Sequence, residues 1–182
     1  MGGKRGFSKK GQIWVETVIY TLIALGMVGA VMAFVIPRVQ EIQDQAVIEQ
    51  SIDVMENINE MIVSTVQGGT GNRRILDISI KRGTLKINTT HDIISFEIEA
   101  TYVFSEPGQI VNIGGVKVET RDIGNTNLII MSSNYSKYNL TFGGDDETLG
   151  SATQSPTPYS MSISNKGEDE QGKINIDFKI IG

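Results

Sequence analysis

One apolar run near the N-terminus constrains this chain more than any other feature. Residues 13–36 contain a single ionisable side chain, that of Glu16. A helix needs about 20 such residues to cross a bilayer core of roughly 30 Å. The run is preceded by four positive charges and no acid: Lys4, Arg5, Lys9 and Lys10. By the positive-inside rule we expect a membrane-spanning helix, with its N-terminus in the cytoplasm and the rest of the chain outside.

A secretory signal peptide explains this run less well than a membrane helix does. The apolar region of such a signal is shorter and ends in small residues at a cleavage site of the Ala-x-Ala type, and no such site is evident here. Glu16 is the unusual feature, because a carboxylate at mid-membrane costs about 2.5–3.5 kcal/mol on insertion scales. A plain anchor has no use for this charge, whereas a segment that later docks against a partner charge has.

Helical periodicity continues beyond the run. Apolar residues recur at three- and four-residue spacing, which is typical of an amphipathic helix: Val39, Ile42, Ala46, Ile48, Ile52, Met55, Ile58, Met61, Ile62 and Val66. The acids of this stretch, among them Asp44, are expected mostly on other faces. Pro37 is expected to kink the helix without ending it, and residues 68–72, rich in glycine, to end it and act as a linker. Residues 12–67 are therefore predicted as one long kinked helix, and its second half must pack on something other than lipid.

After residue 72 the hydrophobic period changes from about 3.6 to 2, which predicts strands. The longest alternation covers residues 94–104, and a turn is expected at residues 81–83. Other strands are predicted at 76–80, 85–87, 110–113, 116–119, 128–131, 138–142, 159–164 and 173–181. Residues 143–158 are predicted to form an exposed loop. The expected fold class is α+β, with an antiparallel sheet or β-sandwich head over residues 73–182 that has one solvent-facing side.

Nothing in the sequence indicates catalysis, a cofactor or a metal site. There is no cysteine, and His91 is the only histidine, which is too few for most histidine-built metal sites. The acidic runs at residues 145–147 and 168–170 lack EF-hand spacing and are interpreted as solvated loops. Without its first eleven residues the chain has a net charge of −9, which argues against a nucleic-acid partner.

Three Asn-x-Ser/Thr sequons lie in the predicted head. They begin at Asn88, Asn134 and Asn139. Short sequons often arise by chance, but all three fall on the side of the membrane where N-glycosylation takes place. We therefore treat these asparagines as possible glycosylation sites.

The start of the chain resembles the class III signal peptide of archaeal type IV pilins. The residues that support the resemblance are Lys9, Lys10, Gly11 and Gln12, followed by Glu16 and the apolar run. In that family a short basic leader ends in glycine, and glutamate is the fifth residue of the mature chain. A cut between Gly11 and Gln12 puts Glu16 at that place. Bacterial pilins usually begin the mature chain with phenylalanine and often carry a C-terminal disulfide, so this chain is more similar to the archaeal branch.

The resemblance implies a structural role. Residues 1–11 would be a basic leader that a prepilin peptidase removes on the cytoplasmic side. The freed helix would wait in the cytoplasmic membrane until an ATP-driven assembly machine extracts it into an extracellular homopolymer of identical subunits. The helices, with Gln12, Glu16 and Pro37 in the assembling segment, would form the filament core, and the β-rich heads would form its outer wall. Archaellins have similar helices and sandwich heads, so an archaellin remains an alternative.

Elementary electrostatics suggests why such a helix carries Glu16. Leader cleavage creates an ammonium group at Gln12, and Glu16 can pair with that amine on a neighbouring subunit, which fixes the axial register. Two readings compete with this one. The chain can be a single-pass, membrane-anchored surface protein with Glu16 in the headgroup region, or a minor pilin-like subunit or binding protein that uses the same export route.

Overall fold

A single long helix precedes all the strands. The structure, a computed structural model, describes the backbone of residues 9–181 and the side chains of residues 13–181. Helix α1 runs from Lys9 to Gln67, and Pro37 lies inside it. Residues 1–8 of the predicted leader lie outside the described part of the chain. The chain divides into two compact units, Met1–Ile42 and Gln43–Gly182, so α1 contributes to both.

Glycines end the helix. The N–H of Gly68 donates to the Ser64 carbonyl at 3.2 Å, and that of Gly69 to the Val66 carbonyl at 3.0 Å. Gly69 has a φ of 80° and Gly71 a φ of 85°, a conformation that costs glycine little because it has no Cβ. The first strand begins directly after this turn.

Ten strands follow the helix within the described residues. Their bounds are β1 Arg73–Ile78, β2 Thr84–Asn88, β3 Ile93–Ala100, β4 Ile110–Ile113, β5 Val116–Asp122, β6 Asn127–Asn134, β7 Tyr138–Phe142, β8 Leu149–Thr153, β9 Tyr159–Glu168 and β10 Ile174–Ile180. They form a four-stranded sheet in the order β1-β9-β10-β7 and a six-stranded sheet in the order β4-β5-β6-β3-β2-β8. The α+β class is thereby confirmed, as a long N-terminal helix followed by two sheets.

Both sheets contribute to one core together with the second half of α1. The helix supplies a row of buried side chains at three- and four-residue spacing: Ile48, Ile52, Met55, Ile58 and Ile62. The six-stranded sheet adds residues such as Phe96 and Met131, and the four-stranded sheet adds Ile163 and Phe178. The opposite face of the six-stranded sheet is polar, with Lys86 paired to Glu97 at 2.6 Å, as the period-2 alternation predicts.

The structure corrects four expectations. Strand β3 ends at Ala100 and does not continue to residue 104. Strand β8 lies inside the stretch 143–158 that was expected to be loop. The pair β7–β10 is parallel, so the four-stranded sheet is mixed and not purely antiparallel. Asp44, one of the acids expected mostly on faces other than the apolar one, is buried, with an exposure of only 4%.

A further correction concerns where helix burial begins. Three of the apolar positions that follow Pro37 are exposed, although they fit the amphipathic pattern: Val39, Ile42 and Ala46. The first deeply buried apolar side chain of α1 is that of Ile48. The head therefore covers α1 from Asp44 onward, which is later in the chain than periodicity indicates.

Candidate functional site on the N-terminal helix

The first half of α1 leaves its apolar side chains uncovered. Every residue from 13 to 40 is exposed, and the larger side chains range from 39% exposure at Val18 to 77% at Phe34. This helix is the only one among the described residues that is long and apolar enough to cross a membrane, with a mean hydropathy of 2.4 in its most apolar window. Monomeric soluble proteins rarely expose so large a contiguous apolar surface. Lipid or other protein must cover it.

Glu16 lies near the start of this surface, and the side chains described around it, those from residue 13 onward, do little to balance its charge. The Tyr20 hydroxyl, one helical turn away, donates to Glu16 Oε1 over a long distance of 3.4 Å. None of the salt bridges between described side chains involves Glu16. The carboxylate is therefore available to a partner from outside this helix.

The neighbouring hydroxyl groups are satisfied within the helix. Thr17 Oγ1 donates to the Ile13 carbonyl at 3.0 Å, and Thr21 Oγ1 donates to the Thr17 carbonyl at 2.8 Å. Such a bond to the carbonyl four residues earlier lets a threonine lie in an apolar medium without leaving its hydroxyl donor unpaired. Glu16 is thus the one charged group in the run, and the other polar groups around it need no external partner.

The remaining residues that the sequence assigned to processing and assembly are also on α1. The backbone of Lys9, Lys10, Gly11 and Gln12 is helical, and their side chains lie outside the described part. Pro37 is inside the helix, where its missing N–H leaves the carbonyl four residues earlier without its usual donor. A Cβ added at Gly26 or Gly29 would meet nothing within 4 Å, so their small size is not required by packing among the described residues.

A second polar site, which sequence reasoning missed, fastens α1 to the head. Asp44 Oδ1 accepts a hydrogen bond from Arg82 Nη2 at 2.6 Å. Asp44 Oδ2 accepts from the Thr101 N–H at 2.6 Å, the Thr101 hydroxyl at 2.8 Å and the Tyr102 N–H at 3.3 Å. Burial raises the pKa of Asp44, but the hydrogen bonds from Arg82, Thr101 and Tyr102 outweigh it and hold the pKa below its ordinary value. A charge at this helical position was visible in the sequence, but its partners were not.

A smaller contact joins the same helix to the six-stranded sheet. The Tyr135 hydroxyl donates to Asn59 Oδ1 at 3.4 Å. Burial raises the pKa of Tyr135 to about 12. Gly114, in the β4–β5 turn, approaches Glu56 so closely that a Cβ there would lie 2.3 Å from its Oε1 atom. The Glu56 side chain is flexible and could shift to relieve this contact, but the φ of 55° at Gly114 favours glycine at this position.

The three sequon asparagines occupy different surroundings. Asn134 is exposed at the end of β6, and its side-chain oxygen accepts from the Ser136 N–H at 2.9 Å. Asn88 is half-buried, and its oxygen accepts from the His91 N–H at 3.1 Å. Asn139 lies half-buried in β7, and the sequon hydroxyl of Thr141 is buried and donates to Asn175 at 3.0 Å. Asn134 is the most accessible of the three.

The acidic runs and His91 lie on the surface of the head. Asp145 is exposed. Its carboxylate accepts a hydrogen bond from the Glu147 N–H, which holds the pKa of Asp145 below its ordinary value. His91 is exposed in the turn between β2 and β3. Among the described residues, no group of three or more His, Asp or Glu side chains is arranged to hold a metal ion.

Comparison with known proteins gives no match: no protein-family model, no curated protein and no solved structure is significantly similar to this chain. Only the residues and the geometry of the molecule itself therefore point to a function.

Proposed function

We propose that this chain is a structural subunit of an archaeal type IV pilus-like surface filament, assembled through α1 after leader cleavage. The observation that carries the proposal is the contrast within α1. Residues 13–36 expose an all-round apolar surface with one carboxylate, whereas the buried row from Ile48 to Ile62 belongs to the core of the head. A helix built this way has one half committed to its own head and one half reserved for other surroundings.

Two successive environments suit the exposed half. A run with a mean hydropathy of 2.4 is stable in lipid, where only helices and closed barrels satisfy their backbone groups. In a bundle of identical helices the same side chains would pack against each other. Gly26 and Gly29 would then have a purpose, because small residues allow helix backbones to approach closely.

Glu16 gives the helix a favourable interaction in the filament that it lacks in the lipid bilayer. In the proposed mechanism the peptidase cuts after Gly11, and the new ammonium group at Gln12 pairs with Glu16 of a neighbouring subunit in the filament core. Removal of one partner from a buried ion pair typically costs about 3–5 kcal/mol, because the other charge is stranded. A subunit docked one helical turn out of register would suffer that loss, so the pair selects one axial position.

The decisive experiment combines N-terminal sequencing of the native protein with electron microscopy of the cell surface. We expect a mature chain that begins at Gln12 and filaments that contain it. Substitution E16A should abolish filaments while membrane insertion and leader cleavage persist. The matched control is E41A, which removes a carboxylate of the same helix whose partner Arg38 is already within 2.8 Å, and it should leave filaments intact. Normal filaments from E16A would refute the proposal.

The same helix also supports a second candidate function, that of a single-pass, membrane-anchored surface protein. A lone carboxylate near the headgroup region is tolerable in such an anchor. This protein would keep its leader and stay monomeric in the membrane, and E16A would have no phenotype. An archaellin or a minor pilin-like binding protein would be cleaved after Gly11 as well, and the composition of purified filaments distinguishes these from a major pilin.

Glycosylation of the head is a separate part of the proposal. We propose Asn88, Asn134 and Asn139 as acceptors, with Asn134 the most readily modified because it is the most exposed. Mass spectrometry of peptides from the native filament tests this. Unmodified asparagine at all three positions would refute the proposed glycosylation and would not bear on the proposed assembly mechanism.

A further inference from the structure

A cleft with a positive lining opens on the outer face of the four-stranded sheet, away from the shared core. Its volume is about 390 Å³, and its lining consists of Arg73, Gly143, Gly144, Ser162, Ser164, Lys166, Asp177, Lys179 and Ile181. We call it the basic cleft. Three of these nine residues are basic, and Asp177 is the single acid. The surroundings are acidic: residues 43–182 contain 11 Lys and Arg against 19 Asp and Glu.

Strand register brings the basic side chains together around two serines. Ser164 of β9 is paired with Arg73 of β1 on one side and with Asp177 of β10 on the other. Ser162, two residues earlier on the same face of β9, is paired with Lys179 of β10. Directly paired residues share a face of the sheet and lie within reach of each other. Arg73 and Lys179 therefore flank the serine pair from opposite sides.

The one acid of the basic cleft already has partners. Asp177 is 8% exposed, and its Oδ1 accepts from the Gly144 N–H at 2.7 Å and the Thr141 hydroxyl at 3.2 Å. Its Oδ2 lies 3.7 Å from Lys166 Nζ. Asp177 can thus balance Lys166, but the charges of Arg73 and Lys179 remain.

Arg73 and Lys179 have no acidic partner within the described residues. Arg73 Nε donates to the Ser162 hydroxyl oxygen at 2.7 Å, which uses one of its five donors. On the outer face of the other sheet, by contrast, Lys86 lies 2.6 Å from Glu97 and Arg121 lies 2.8 Å from Glu119. Arg73 and Lys179 are not directly opposite each other, since β9 lies between their strands, but both place positive charge on the same face of the sheet, so the potential in the cleft is positive. A bound anion would balance this positive charge.

We propose that the basic cleft binds an oxyanion, the carboxylate, sulfate or phosphate group of a small ligand. The Arg73 guanidinium offers its remaining donors in a fork that matches two oxygens. Lys179 supplies a second charge from the opposite side, and the Ser164 hydroxyl supplies a neutral donor between them. Ser162, 3% exposed, holds Arg73 in position and does not itself need to contact the ligand. No aromatic residue lines the cleft, so recognition depends on charge and hydrogen bonds and not on stacking against a sugar ring.

The test is a calorimetric titration of the full chain in non-ionic detergent micelles, at constant ionic strength, with sodium sulfate, sodium phosphate and sodium glucuronate as separate probes. We expect saturable binding of at least one probe to a single site. Variants K179A and R73Q should each weaken that binding about tenfold or more, because a charge-assisted contact is lost. The three probes distinguish sulfate and phosphate from a sugar carboxylate as the preferred group.

The matched control is K117A, which removes an exposed lysine from β5 in the other sheet and should leave binding unchanged. Lys179 is exposed, so K179A should keep the tyrosine near-UV circular dichroism of the native head, and any loss of binding is then a loss of the site. Absence of saturable binding for all three probes would overturn the proposal. Equal weakening by K117A and K179A would overturn it too, since it would show only a general charge effect.

Discussion

The two halves of α1 share one secondary structure and have opposite surroundings. From residue 13 to residue 40 every side chain is exposed, although the run is almost wholly apolar. From Asp44 to Val66 the helix is amphipathic, and its apolar row reaches 0% exposure at Ile48, Met55, Ile58 and Ile62. The second half draws its stability from the head, whereas the first half can only draw it from a medium or partner that the isolated chain lacks. Composition and not helix propensity separates the two.

The largest expected difference comes from the same truncation made in each half. I58A removes most of a fully buried side chain from the core, which should lower the free energy of unfolding of the head by about 3–4 kcal/mol because a cavity remains. I23A makes the identical change where the side chain is 49% exposed and should leave that free energy unchanged. Urea unfolding in detergent, followed by the near-UV circular dichroism of the tyrosines, measures both. Four of the five tyrosines lie in the head, whereas Trp14 lies outside it.

The comparison fails if I23A destabilises the head as much as I58A does. That result would mean that Ile23 contributes to the stability of the head, contrary to its 49% exposure. If I23A instead prevents filament formation while the head keeps its normal stability, the first half of α1 has a role in assembly.

The next effect concerns the place where burial begins. D44N removes the charge that accepts hydrogen bonds from Arg82, Thr101 and Tyr102. We expect a loss of roughly 3 kcal/mol, at the low end for a broken buried pair because Arg82 is 38% exposed. Hydrogen exchange should also rise first in residues 44–50, since this end of the buried half loses its tether. A stability equal to wild type would show that the cluster is dispensable.

The pH dependence of stability provides a smaller and more specific measurement. The pKa of Asp44 is lowered in the folded protein, so its contribution is fully present above the unfolded-state value, about 3.9, and is lost as the pH falls through the folded value. Unfolding free energies of wild type and D44N should therefore differ by a constant amount at neutral pH and converge below about pH 4. Other carboxylates titrate in both proteins and cancel in the difference. A difference that does not change with pH would assign the effect of D44N to shape and not to charge.

The smallest expected effect lies just outside the buried half. Arg38 and Glu41 form an i,i+3 pair at 2.8 Å with side chains 78% and 44% exposed. E41Q should change the unfolding free energy of the head by less than about 0.5 kcal/mol, since solvent-exposed pairs contribute little. The same unfolding assay in low and high salt tests this. A loss comparable with that of D44N would move the boundary of the buried half toward Pro37.

Local pattern predicts the elements of this protein well where periodicity is strong. The helical spacing of residues 48–62 and the alternation in β2, β3 and β7 are direct consequences of which face is buried. The apolar run with Glu16 also identifies the candidate site, because its composition is unusual at every residue. What the sequence leaves open is which partner each segment meets.

The two strand errors show why partners matter. Tyr102 and Phe104 continue the alternation of β3, but the N–H groups of Thr101 and Tyr102 donate to Asp44 and not to a neighbouring strand. Strand β8 carries no apolar alternation because its inward positions are Gly150 and Ala152. A Cβ at Gly150 would lie 2.4 Å from the ring of Phe142, so a small residue is required there. Both errors come from contacts between residues far apart in the chain.

The position of β10 inside its sheet has a consequence for the order of folding. Among the ten described strands it comes last in sequence, yet it lies between β9 and β7 and is the only one of them that pairs with β7. While the ribosome is still adding residues before 174, β7 has no neighbour within its own sheet. The four-stranded sheet can close only after residues 174–180 have been synthesised, so the head reaches its final form only once the whole of β10 is available.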